Sequence, residues 1–210
     1  MIAKSLIMNN ERLSALFDGV IAIIITLLVL ELKLPGIPGE DPNILLHDAL
    51  REKIPEIVAW VISFIMVARI WQEQHTIWAY ISKCDKWSII LTFVLLAACS
   101  LIPFCSHLIG KYPDTPFVVL IFSAGMVVSG IVVAALAAYS IRSDHLHRER
   151  GNVVLNSRVI YLVTVFPVLG VLAVFFAYKH HPLIAVSGWL VEPLALFVFH
   201  QVKGMSGLDA

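Results

Sequence analysis

The sequence predicts an all-α protein that crosses a membrane several times. Hydrophobic residues make up 59% of its 210 positions, and charged residues only 14%. Mean hydropathy is +0.87. The apolar residues fall into six stretches of about membrane-spanning length, separated by short polar connections. A soluble domain of this composition would leave large apolar surfaces in water.

The six predicted helices run over residues 13–34, 54–81, 87–109, 117–141, 157–178 and 183–202. In the first, Thr26 is the only non-aliphatic side chain between Gly19 and Leu30. The longest connection, from Pro35 to Lys53, opens with Gly and Pro. It then places Leu45, Leu46, Leu50 and Ile54 at helical spacing, which predicts a short amphipathic helix at the membrane surface. The second helix ends in ARIWQEQHTIWAYI and the third closes with LIPFCSHLIGKYP. RSDHLHRERGNVVLN, before the fifth helix, reads as a polar hairpin; its His145 and His147 are two residues apart and share no helix face for a metal. His180 and His181 precede Pro182 in a solvated turn. No internal period appears, so residues 1–210 form one predicted domain.

Net charge is zero and carries no basic excess for nucleic acid. The distribution of Lys and Arg is informative instead. With six spans both termini share a side, and that side holds nine basic residues: Lys4, Arg12, Lys83, Lys86, Arg142, Arg148, Arg150, Arg158 and Lys203. The other side holds five, at positions 33, 51, 53, 111 and 179, so the positive-inside rule predicts cytoplasmic termini. Arg69 falls within the second span. No cleavage site follows Leu30 before Pro35-Gly36, which argues against a cleaved signal peptide. Cys84, Cys99 and Cys105 form no CxxC pair and read as packing residues.

An aspartate in a membrane helix costs roughly 2.5–3.5 kcal/mol on insertion scales, so Asp18 calls for a partner or a wet cavity. On a helical projection Ile23, Leu27 and Leu30 form one stripe, with Thr26 at its edge and Arg12 near its side; Asp18 lies about 140° away. His75, at the matching depth of the antiparallel second helix, is the expected hydrogen-bond partner of Asp18. Trp71 and Trp78 flank His75 on the same face, and Arg69 and Glu73 are placed to pair within the helix. Such groups can equally cement helices without further function.

RLSALFDGVIAIIITLLVLEL resembles the first-helix signature of the Transmembrane Protein 175 family, summarised as Arg-x-x-x-Phe-Ser-Asp followed by a small residue and an aliphatic run. WQEQHTIWAYISKCDKW is similar to the family's Trp, His and Asp pattern, here Trp71, His75 and Asp85, and Pro103-Phe104 to the close of its third helix. One departure stands out: Leu16-Phe17 replaces Phe-Ser, so the serine hydroxyl is missing. The resemblance implies a potassium-permeable channel of a bacterial cell membrane, with six helices per subunit and four subunits around a pore lined by the first helix. Ile23, Leu27 and Leu30 would form the constriction, with Thr26 as polar support. Arg12, Asp18, Trp71, His75 and Asp85 would form a helix-bridging polar network. One motif per chain cannot ring a pore, so a cyclic oligomer is expected. The expected partners are copies of this chain, monovalent cations and lipid, with potassium as the permeating ion and no cofactor or metal.

An aliphatic ring closes by dewetting and discriminates weakly between ions when wide; with no TVGYG-like segment, modest potassium selectivity is expected. The competing readings are a secondary transporter, a proton-conducting protein using Asp18 and His75, and a membrane enzyme. The first would favour repeated halves with paired helix breaks, whereas Pro103 and Pro167 are isolated. The last lacks HExxH or comparable spacing.

Overall fold

The computed structural model describes residues 10–33, 42–81, 84–142, 149–179 and 182–194. In these residues the chain forms eight α-helices and one 3-10 turn: α1 (Asn10–Leu30), α2 (Pro42–Glu52), α3 (Ile54–Trp78), α4 (Lys86–Ser100), α5 (Ile102–Lys111), α6 (Pro116–Arg142), α7 (Glu149–Tyr178), α8 (Pro182–Ser187) and the turn Gly188–Leu190. Five helical stretches are long and apolar enough to cross a membrane: 11–30, 54–78, 86–111, 116–142 and 156–178. The protein is an all-α polytopic membrane protein. The sixth expected span is described only to residue 194, and it opens as α8, the 3-10 turn and a further helical run over 191–194 rather than one continuous helix. His145, His147, His180, His181 and the termini lie outside the described residues.

The third span is two helices. Leu101 ends α4 with its N–H on the Ala98 carbonyl, a tightened 3-10 turn, and α5 starts at Ile102 with Pro103 in its first turn. Proline has no N–H to bond the carbonyl four residues back, so a helix through this point breaks there. Residues 149–156, expected in a polar hairpin, instead extend α7 at its start. The predicted amphipathic segment is α2.

With lipid outside, van der Waals fit replaces water exclusion as the force holding the spans together, and small residues set the approach. Among the described residues α6 and α7 share the most extensive contact. A Cβ on Gly130 would lie 2.5 Å from the Phe166 ring, and one on Gly170 would lie 2.7 Å from Val127. Trp189 is fully buried with its ring edge-on to Phe166, docking the last described segment there. Gly110 of α5 likewise meets the backbone of Glu56 in α3, with a Cβ at 2.8 Å.

α1 packs on α3, α4 and α5 through Leu13, Phe17, Ile21, Ile24 and Leu28, all buried. This spacing is one helix face, and Phe17 is its largest member. The position that carries serine in the family signature is thus an aromatic core residue here.

Candidate functional site

The other side of α1 is left uncovered by the described residues. Ile23 is 58% exposed, Leu27 43% and Leu30 63%, with Leu16, Ala22, Thr26 and Val29 also exposed. The Thr26 hydroxyl donates to the Ile23 carbonyl at 2.7 Å, so its polar atom is satisfied within the helix. Gly19 has open space where a side chain would sit. Arg12 is exposed at the start of the same side. At the far end, Glu31 pairs with His107 of α5, Nδ1 to Oε2, at 3.2 Å. The sequence reading did not anticipate that pair.

Other spans also leave apolar faces uncovered, but those faces carry aromatic rings: Trp87, Phe93 and Phe104 on α4 and α5, and Phe175 and Tyr178 on α7. Such rings suit lipid tails and headgroup levels. The uncovered stripe of α1 has none, and charged residues bound it at both ends.

The expected partner of Asp18 is corrected by the geometry. The Trp71 indole Nε1 donates to Asp18 Oδ1 at 2.7 Å, while His75 stacks on Trp71 with ring centroids 5.4 Å apart. An indole is a donor only, so it suits a carboxylate without needing a tautomer or a proton. Asp18 and His75 both open on a cleft of about 380 Å³, lined also by Glu11, Ser14, Ala15, Trp78 and Ala79. Asp18, Trp71 and His75 therefore come together at the interface of α1 and α3.

Asp85 belongs elsewhere. It caps α4, accepting from the Ser88 N–H and hydroxyl at 2.9 Å each, and its second oxygen accepts from the Tyr139 hydroxyl of α6. A carboxylate at a helix N-terminus is favoured both by the unpaired N–H groups and by the helix dipole. Beside it in the connection, burial and then the Asp85 charge push the Cys84 thiol up to about 11. All three cysteines are buried and none forms a disulfide. Arg12 joins neither group. Among the described residues no set of three or more His, Cys, Asp and Glu side chains could hold a metal ion.

A second polar cluster sits on the other side of α3. Arg69 pairs with Glu73 at 2.9 Å, as the i, i+4 spacing predicts, and also with Glu192, Nη2 to Oε1, at 2.7 Å. Its Nε donates to both Glu192 oxygens at 3.2 Å, and its Nη1 to Gln72 at 2.8 Å. Tyr161 donates to Glu192 Oε1 at 2.6 Å, and Arg158 donates to Glu73 Oε2. Two cations face two anions, so the cluster is neutral, and all four carboxylate oxygens are used. Arg158, Tyr161 and Glu192 were not singled out as site residues. Their signal was an ionisable or hydroxyl group at the edge of, or within, an otherwise apolar stretch.

The family profile described as "Endosomal/lysosomal potassium channel TMEM175" matches residues 12–103. A potassium channel of Chryseobacterium sp. strain P1-3 is 30% identical over 187 residues, which cover 89% of this chain and 92% of that protein. The chicken endosomal/lysosomal proton channel TMEM175 is 29% identical over 112 residues, 51% of this chain but 22% of that longer protein. Among solved structures, the Chamaesiphon minutus homolog of the lysosomal potassium-selective channel TMEM175 superposes with a TM-score of 0.73 at 22% identity, covering 90% of this chain and 96% of that one.

Proposed function

Since the chain belongs to the TMEM175 family, we propose that it is a potassium-permeable cation channel, a homotetramer in a bacterial cell membrane with cytoplasmic termini. The first helix of each subunit lines the pore, and conduction is passive, with no enzymatic step. One observation carries this reading: α1 packs one face into its own subunit and leaves an aromatic-free aliphatic stripe uncovered from Leu16 to Leu30. Copies of the stripe arranged around an axis would make a tube with Ile23, Leu27 and Leu30 as successive apolar layers. The similarly sized Chryseobacterium relative, named a potassium channel, supports the same reading.

The mechanism follows from that wall. A narrow aliphatic ring excludes water, so an ion faces a dehydration barrier rather than a binding site. Widening the ring admits partly hydrated cations. Selectivity for potassium over sodium is then modest and stems from the easier dehydration of the larger ion. Thr26 keeps its hydroxyl on the Ile23 carbonyl and adds little polarity to the lumen.

The test is flux of potassium and of sodium into liposomes holding the purified protein, wild type beside Ile23→Asn. The expected result is passive flux favouring potassium, raised by the substitution with reduced discrimination. Absence of flux under both ions would overturn the reading.

Proton conduction is the second reading, favoured by the cleft that exposes Asp18 and His75 beside Glu11. It predicts that Asp18→Asn abolishes proton flux driven by a pH gradient while sparing potassium flux.

A further inference from the structure

We infer that Arg69, Glu73, Arg158 and Glu192 form a clasp that fixes the rotation of α3 and so positions α1 through Trp71 and Asp18. This rests on α1 being the pore helix. The observation behind it is that α3 is polar on two sides at one depth. Arg69 and Glu73 are one turn apart and face α7 and the last described segment. Trp71 and His75, also one turn apart, lie about 200° around the same helix and face α1.

Aliphatic contacts between membrane helices are short-ranged but weakly directional, so a helix held by them alone can turn or slide at small cost. Charge-assisted hydrogen bonds from a planar guanidinium fix direction as well as distance. Glu192 is 1% exposed in its side chain and Glu73 6%, so neither carboxylate can exchange its partners for water. A rotation of α3 by one residue would carry Arg69 off Glu192 and, in the same motion, Trp71 off Asp18. The last segment and α7 thereby hold α1, although the helices packed on α1 are α3, α4 and α5. The four clasp residues are positioning residues and touch no part of the α1 stripe.

The experiment is hydrogen–deuterium exchange of the full-length protein in nanodiscs, read on peptides from α1, with Glu192→Gln and Arg158→Gln beside wild type. Exchange in residues 10–22 is expected to rise about 2- to 30-fold in both variants, the range seen when residues along a coupled network are altered. Glu192→Asp should return it toward the wild-type rate. Acceleration confined to α7 and the last segment would overturn the clasp, leaving only local cement. If Glu192→Gln fails to assemble, Tyr161→Phe, which removes one hydrogen bond to Glu192, takes its place with a smaller rise in the same peptides and the same overturning result.

Potassium flux supplies the second arm. Glu192→Gln and Trp71→Phe, whose side chains lie on opposite sides of α3, should combine non-additively; additive flux changes overturn the coupling. A wild type that passes no potassium defeats the channel reading alone, because the exchange data still decide the clasp.

Discussion

The two faces of α1 have the same chemistry and different surroundings. Leu13, Phe17, Ile21, Ile24 and Leu28 are buried in the subunit, whereas Leu16, Ile23, Leu27 and Leu30 are uncovered. Adjacent isoleucines make the contrast sharpest: Ile23 is 58% exposed and Ile24 2%. Hydrophobicity cannot separate such faces in a membrane, where both are apolar. Packing separates them, because among the described residues only one face has a partner shaped to it.

The largest effect that tests this difference is expected at Phe17. Phe17→Ala opens a cavity between α1 and the helices under it, and truncations of this kind cost about 3–5 kcal/mol in soluble cores. Here lipid replaces water outside, so the lost contacts and the cavity make up most of the cost. Thermal unfolding of the purified protein should fall clearly below wild type. An unchanged midpoint would mean that α1 is not anchored by this face.

Next is Ile24→Asn beside Ile23→Asn. At position 24 the amide enters a dry interface and loses about 1–3 kcal/mol for each polar group left unpaired, so reduced stability is expected. At position 23 the same amide meets the proposed lumen, and stability should stay near wild type while flux changes. Equal effects on flux and stability at both positions would remove the distinction between faces. Gly130→Ala is a comparison from the α6–α7 contact. It forces a Cβ onto the Phe166 ring and should cost about 1–3 kcal/mol by overpacking, read by the same thermal unfolding, with potassium flux in the folded fraction unaltered.

Much of this contrast was legible in the sequence and some of it was not. The apolar stretches and the stripe of Ile23, Leu27 and Leu30 follow from composition and the 3.6-residue period alone. The Arg69–Glu73 pair was legible because it is local. Glu192 was not, since it lies 123 positions from Arg69 and only the fold brings the two together. Arg158 was counted with the basic residues of a loop and the helix start after it, yet its guanidinium is on Glu73 and adds less to the topology argument than its number suggested. The partner of Asp18 was misjudged because spacing places His75 and Trp71 on one face without saying which side chain reaches further toward α1. The break at Leu101 follows from Pro103, a residue read as an isolated proline near the close of the third helix and not as a helix break.

The smallest expected effect is also the most direct probe of which face is wet. Cys84, Cys99 and Cys105 are buried, and burial together with Asp85 raises Cys84 to about 11. Thiolate is the reactive form, so a folded-state value above the usual thiol range keeps Cys84 protonated and inert at neutral pH, with reactivity gained only as pH approaches 11. The wild-type protein should therefore label poorly with a charged, water-soluble thiol reagent at pH 7.5. Against that low background, Ile23→Cys should label at a measurable rate if water reaches the stripe, and Ile24→Cys should remain as silent as wild type. Thermal stability of Ile23→Cys should stay within about 0.5 kcal/mol of wild type, as for surface substitutions. Labelling at position 24 but not 23 would invert the assignment of the faces. Labelling at neither, with potassium flux intact, would place the ion path away from α1, because a conducting wall must be wet for at least part of the time.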